Sequence, residues 1–218
     1  MKDELHNREF KQNDPDKAPE APPSGEKVLL HTCCAPCASA ITEFLLKNGY
    51  RPVLYYSNPN IYPVEEYEKR KAECIRFAAA MDIDFAEDKY DHEEWLTFIK
   101  GLEKEPERGA RCLKCFTFRL MRTAKYASDN DISYFTTALA SSRWKDLAQT
   151  DEAGAIAEKS RRGIKYWKRN WRKGGLSERK AVLNKEFGFY NQKYCGCEFS
   201  LQNRREYEKQ LKNDNQEK

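Results

Sequence analysis

The chain has 218 residues, 34% of them charged and 39% hydrophobic, with a net charge of +4. That length suits one domain of ordinary size with room for a core. No run approaches the ~20 apolar residues that a membrane-crossing helix needs, so no membrane-spanning helix is expected.

Residues 1–26 carry Pro15, Pro19, Pro22 and Pro23 among charges, with almost nothing to bury, and read as a disordered arm. No apolar stretch precedes Val28, so no signal peptide is expected and a cytoplasmic location is. Lys27–His31 (KVLLH) has the character of a buried strand, followed by a cysteine loop and a helix over about 38–47 that Gly49 ends. Pro52–Ser57 is the next strand, and the prolines and asparagines of NPNIYP at 58–63 force a turn. A long helix is expected over Val64–Met81 and a short strand at Ile83–Phe85. His92–Leu102 is read as helix, with Trp95, Phe98, Ile99 and Leu102 on one stripe. The polar loop EKEPERGA (103–110) delivers RCLKC to the start of a helix that runs towards Asp129. Ile132–Ala138 is a β-rich strand, and a helix follows near Lys145–Glu158. Residues 205–218 form a polar tail, which leaves 27–204 as a single catalytic domain. Alternating strands and helices imply an α/β fold, a parallel sheet with helices on both faces. Active sites of such sheets lie beyond the C-terminal strand ends, where the first cysteine group falls.

The eight cysteines form three tight groups and one stray. Cys33, Cys34 and Cys37 lie in HTCCAPC, Cys112 and Cys115 in RCLKC, and Cys195 and Cys197 in YCGC. Grouping of this kind in a cytosolic chain points to metal binding or redox chemistry rather than a disulfide scaffold. Thiolate-only groups favour zinc or an iron–sulfur cluster. A four-thiolate zinc site could be built from Cys34/Cys37 and Cys112/Cys115, but the chain has more thiols than one zinc can use. Spacing alone does not say which four are ligands. Cys195 and Cys197 are separated by one glycine, so a disulfide between them closes a small strained ring that behaves as a reducible pair. Cys74 falls on an apolar helical stripe and reads as a core residue. His31, at the end of a buried strand, reads as a satisfied structural residue.

From Lys159 to Lys180 the chain holds ten Lys or Arg and one acid, for a net of +9. Tyr166, Trp167 and Trp171 are interleaved with that charge. Phosphate pairing combined with stacking faces is what an RNA-contacting segment needs. Arg161, Arg162, Lys168, Arg169 and Trp171 are the expected nucleic-acid contacts, and a solvated helix face is the bland alternative.

LHTCCAPC, NPNIYP followed by EEYEKRK, LEKEPERGARCLKCFTFRL, YFTTALASS and YNQKYCGCEFS together resemble the QueH family of epoxyqueuosine reductases, over about Lys27–Leu201. The resemblance implies a Rossmann-like (HUP-type) sheet and the last step of queuosine formation: the epoxide on the wobble base of a tRNA is reduced to an alkene, and water is released. It implies a [4Fe–4S] cluster on Cys33, Cys34, Cys112 and Cys115, and a redox-active disulfide between Cys195 and Cys197. Cys37 is left without a role and is available for a second metal, a second iron. The implied partners are a tRNA with a queuosine-type wobble base and an electron donor whose identity is open. The acid that protonates the leaving oxygen is equally open, with Asp88, Asp91, Glu103 and Tyr194 as options.

Two rivals make different demands. An ATP-pyrophosphatase-type tRNA sulfur-transfer enzyme needs a glycine loop of the SGGxDS type after the first strand, where this chain has HTCCAPCASA. A non-catalytic zinc RNA-binding module leaves the Cys195-Gly196-Cys197 pair without a purpose.

Overall fold

The computed structural model describes residues 21–214. Five parallel strands, β1 (Lys27–His31), β2 (Arg51–Tyr56), β3 (Asp84–Glu87), β4 (Tyr134–Thr137) and β5 (Lys165–Tyr166), pair in the order β3-β2-β1-β4-β5. Parallel neighbours require crossovers, and helices supply them. These are α1 (Ala35–Lys47), α2 (Val64–Met81), α3 (His92–Ile99), α4 (Ala110–Asp129) and α5 (Leu147–Lys159), with α6 (Leu176–Glu186) and α7 (Glu198–Asp214) beyond β5. The chain winds outward in one direction from β1 to β3 and in the other from β4 to β5. The crevice between β1 and β4 is therefore the topological switch point of this Rossmann-like sheet.

Alternation along the strands explains why both faces are covered. Val28, Leu30, Leu54 and Tyr56 pack with Ile41 and Leu45 of α1, Phe77 of α2 and Leu183 of α6. Leu29, Val53, Tyr55 and Phe135 point the other way, onto Phe116, Leu120 and Ala124 of α4 and Ala153 and Ala157 of α5. Each fully buried Leu or Phe here contributes about 1.5–3 kcal/mol relative to an exposed one. On the second face, α5 approaches β5 so closely that a Cβ at Gly154 would sit 2.2 Å from the Tyr166 ring.

Several boundaries differ from expectation for local reasons. Helix α1 begins at Ala35 instead of 38, because Pro36 suits a first helical turn, so Cys34 becomes the N-cap and Cys37 enters that turn. Strand β4 is only Tyr134–Thr137; Thr137 accepts from the Leu139 N–H and turns the chain into a 3₁₀ turn, Ala138–Ser141. Strand β5 lies inside the basic segment and helix α6 begins within it, and neither was anticipated. Helix α7 runs through the expected 204/205 boundary, with Ser200 buried. Of the arm at 1–26, residues 1–20 lie outside the described residues. The last six instead dock: Pro22 is buried and accepts from Tyr50 Oη at 3.0 Å, and Gly25 N donates to Gly49 O. Among the described residues no helix is long and apolar enough to cross a membrane.

Candidate metal and redox centre

The ends of β1, β2 and β4 are tied together by one buried histidine. His31 Nε2 lies 3.2 Å from the Ser57 carbonyl, which can only accept, so Nδ1 is the acceptor for the Thr137 hydroxyl at 2.7 Å. Burial and then the nearby Arg119 charge hold its pKa well below the usual 6.5, in keeping with that neutral tautomer. The structural reading of His31 fits this geometry. Beside it, Asn58 donates to Thr32 O at 2.9 Å, and Arg119 reaches Ser57 O and Asn58 Oδ1. Arg119 thus links α4 to the loop that opens into Cys33.

Cys34 and Cys37 sit at the N-terminus of α1 and Cys112 at that of α4, where the helix dipole favours thiolate. Neither α1 nor α4 has an acidic residue in its first turn. Cys33, Cys34 and Cys37 bring their sulfurs within 4.8 Å of one another, with Cys33 and Cys34 3.9 Å apart. Each thiol is raised by one sulfur neighbour and lowered by the other, and burial adds to this, leaving all three at about 12. Gln192 donates to Cys34 Sγ at 3.4 Å. Cys112 and Cys115 are placed by the EPERG segment: Glu105 accepts from the Ala110 N–H and caps α4, and the Arg108 N–H donates to Cys112 Sγ at 3.2 Å. Burial raises Cys112 to about 11 and raises Cys115 as well. These two sulfurs lie outside the compact triad. Cys74 is wholly buried beneath α2, in the core as expected.

Cys195 and Cys197 are free thiols here. Gly196 between them has φ +134°, and a Cβ there would meet Arg70 and Ile61 at 3.1 Å. Arg70 clamps the loop by donating to Cys195 O and Tyr194 O, and Tyr62 N donates to Gly196 O. Lys145 Nζ is in direct contact with Cys195 Sγ. Burial opposes ionisation of Cys195, but Lys145 and then Arg119 outweigh it, so this thiol falls below its ordinary value of 9.0. Cys197, buried beside that thiolate, is raised. Lys145 lines one recess with Cys112, Cys195 and Cys197, and Cys33 also favours its charged form.

Lys145 and Arg119 were missed by sequence reasoning. Arg119 had a signal: with Cys112 and Cys115 it forms an i, i+3, i+7 stripe on α4. It is 2% exposed, and among the described residues no carboxylate pairs with it. A buried cation without an anion is costly. A thiolate-bound metal group would supply the missing negative charge. The buried Trp95 indole N–H is directed at Cys115, where it favours the thiolate. An all-thiol donor set beside buried cations fits a soft metal or iron–sulfur group.

The options for the protonating acid are all engaged elsewhere. Asp88 pairs with Arg122 at 2.6 Å, Asp91 caps α3, Glu103 accepts from Gly101 N, and Tyr194 Oη donates to Tyr62 O.

The basic segment corrects one expectation outright. Trp171 was expected to stack on RNA, yet it is 1% exposed and donates to Thr136 Oγ1 at 2.9 Å within the core. Trp167 is 2% exposed, packs edge-on against Trp171, and Tyr166 is buried too. Tyr166 packs into the core on the α4 and α5 side of the sheet and Trp167 and Trp171 into that on the α1 and α6 side, while Lys165 and Lys168 stay exposed. Lys168 reaches Asp151 at 3.4 Å, Arg161 donates to Ser160 O, Arg162 is exposed, and Arg169 lies over Phe44 at 4.5 Å.

A Rossmann-like sheet with a buried thiol centre at its switch point, flanked by a lysine-activated Cys-Gly-Cys, defines a redox enzyme of the α/β class. The family described as Epoxyqueuosine reductase QueH matches residues 28–203. The chain is 44% identical over 182 residues to the Epoxyqueuosine reductase QueH of Histophilus somni, covering 84% of this chain and 75% of that one. With the Thermotoga maritima protein of the same name it shares 37% over 182 residues, 82% of this chain and 92% of the relative. Among solved structures, the U34-tRNA thiolase NcsA from Methanococcus maripaludis with its [4Fe-4S] cluster aligns with a TM-score of 0.49 at 12% identity, over 87% of this chain and 67% of that one. The chain belongs to the QueH family of epoxyqueuosine reductases, oxidoreductases of queuosine synthesis.

Proposed function

We propose that the protein reduces the epoxide of epoxyqueuosine at the tRNA wobble position to the alkene, in the cytoplasm. The observation that carries this reading is the convergence of the Cys195 thiolate, Lys145 and the cysteines of α1 and α4 at one set of strand ends. Cys33, Cys34, Cys112 and Cys115 hold a [4Fe–4S] cluster, which supplies low-potential single electrons when bound.

The balance of the reaction fits the dithiol. Epoxide, two electrons and two protons give alkene and water. Oxidation of the Cys195 thiolate and the Cys197 thiol to a disulfide releases two electrons and one proton, the Lys145 ammonium supplies the second proton, and an external donor then restores the pair. Lys145 holds Cys195 as thiolate, the nucleophilic form. Its ammonium also holds a proton beside the narrow recess bounded by Cys112, Cys195 and Cys197, where the leaving oxygen needs one. Arg161, Arg162, Lys168 and Arg169 pair with tRNA phosphates around this site.

The compact triad favours one competing arrangement. Three sulfurs spaced as these are match a single tetrahedral ion, for which a metal–sulfur bond of ~2.3 Å places ligands about 3.8 Å apart. Anaerobic purification of the protein and its serine variants separates the two. With the cluster, the protein is brown with about four iron and four sulfide per chain. Cys112→Ser loses both, and Cys37→Ser and Cys197→Ser keep them, while Cys197→Ser fails in multiple turnover. A colourless, zinc-loaded, fully active protein that depends on Cys37 but not Cys112 refutes the reading.

A further inference from the structure

The tryptophans of the basic segment face inward, which leaves the aromatic surface for an unpaired base to be sought elsewhere. Of the four tryptophans, Trp95, Trp167 and Trp171 are at most 2% exposed, whereas Trp144 is 66% exposed. Trp144 follows the 3₁₀ turn after β4 and directly precedes Lys145. It borders the same recess as Cys112, Cys195 and Cys197. An exposed indole is costly to leave in water, and this one stands at the mouth of the redox site.

Its surroundings hold it in place. Arg143 covers one side of the ring with its guanidinium 4.7 Å from the centroid. Arg108 reaches across from the loop before α4, donating to Trp144 O at 3.2 Å and Arg143 O at 3.4 Å. Arg108 is itself fixed, with φ +66°, its N–H on Cys112 Sγ and its carbonyl accepting from Gln149 at 2.7 Å. The two loops that flank the recess are thus latched together by a residue that also touches a cysteine. An indole backed by one guanidinium, with a second guanidinium beside it, presents a flat ring and positive charge within reach of a phosphate. That is the chemistry of a nucleobase-stacking site in single-stranded nucleic acid.

We propose that Trp144, with Arg143 and Arg108, is the platform on which an unpaired base of the anticodon loop stacks as the wobble nucleotide enters the recess. The proposal rests on the tRNA-substrate reading above and adds the face by which the RNA docks. A flipped or splayed base needs a stacking partner to offset the stacking it leaves, and a platform one residue from Lys145 places its neighbour close to the thiols.

The burial of the other three indoles makes the test specific, because quenching by a stacked base falls on Trp144. An anticodon stem-loop RNA is titrated into anaerobically purified, cluster-loaded protein while emission and, separately, binding by anisotropy are followed. Wild-type emission should be quenched on binding. Trp144→Phe should bind within a few-fold of wild type with the quenching gone. Trp144→Ala should bind about 5- to 150-fold more weakly, with the same salt slope and iron content. Arg143→Gln should flatten the log–log salt slope by roughly 0.7–0.9. An unchanged affinity in Trp144→Ala, with no quenching in wild type, overturns the platform while leaving the reductase reading intact. If that variant binds RNA normally but turns over slowly with a protein reductant and normally with dithionite, the face docks the electron donor and the platform is again overturned. Failure of the wild-type protein to bind the stem-loop at all overturns the tRNA reading and the platform with it.

Discussion

Replacing Lys145 by Met should slow the alkylation of Cys195 in the reduced protein. In the wild-type protein Cys195 lies below 9.0 because the Lys145 ammonium touches it, while its neighbours Cys112, Cys33 and Cys34 are raised to about 11 or 12. At pH 8 a thiol below 9 is more than about one-tenth thiolate, and one at 11 about one-thousandth. Without Lys145, burial is left unopposed apart from Arg119, and the Cys195 thiol rises. Each unit of rise cuts the thiolate fraction about tenfold. A more basic sulfur is also a better nucleophile, with a Brønsted coefficient of ~0.4–0.5, which returns about a factor of three per unit. The net expectation is alkylation of Cys195 slowed about threefold in Lys145→Met for each unit of rise. The assay is an iodoacetamide time course under anaerobic reducing conditions, with Cys195 and Cys197 resolved by fragment mass spectrometry. Equal rates in the two proteins, or Cys197 reacting before Cys195 in the wild type, would refute the reasoning.

Arg119→Gln keeps a donor for Asn58 Oδ1 but removes the buried charge. The cluster-loaded variant should be harder to reduce, by about tenfold in the one-electron equilibrium constant or ~59 mV, as read by a dye-mediated potentiometric titration. A purely packing role for Arg119 predicts no shift in potential. His31 gives a pH dependence whose sign follows from its lowered pKa. Below about 6.5 the unfolded chain takes up a proton that the folded one refuses, so stability falls as pH drops, by up to ~1.4 kcal/mol per unit. Urea midpoints between pH 7.5 and 5.0 should fall less steeply in His31→Gln, and identical slopes would show that His31 is not the group responsible.

The order of strands and helices was legible because the apolar runs KVLLH and PVLYYS are short and buried on both faces, and because Gly49 and NPNIYP punctuate them clearly. The thiol groups were legible for a different reason: cysteine is scarce, so its spacing stands out. What was hidden depended on neighbours distant in sequence. Lys145 acquires its meaning only from Cys195, fifty residues on. Arg119 is an ordinary helical arginine until the fold buries it with no carboxylate partner among the described residues. The tryptophans misled because charge count cannot say which way a ring turns. A basic run with aromatics describes both an RNA-binding surface and a strand that hides its rings under a charged exterior, and Trp167 and Trp171 take the second course.

That second course has its own effect on how the segment behaves in solution. Trp167 and Trp171 are driven into the core on either side of Lys168 and Arg169, so the backbone between them is pinned at two points. The cations are mounted on a fixed frame instead of swinging on a loose loop, and a polyanion that meets them has little backbone left to freeze. Lys168 stays exposed on that frame, so its charge can be exchanged there without disturbing the rings below. Any change to an indole, by contrast, loosens the frame and blurs the pattern of charge it carries.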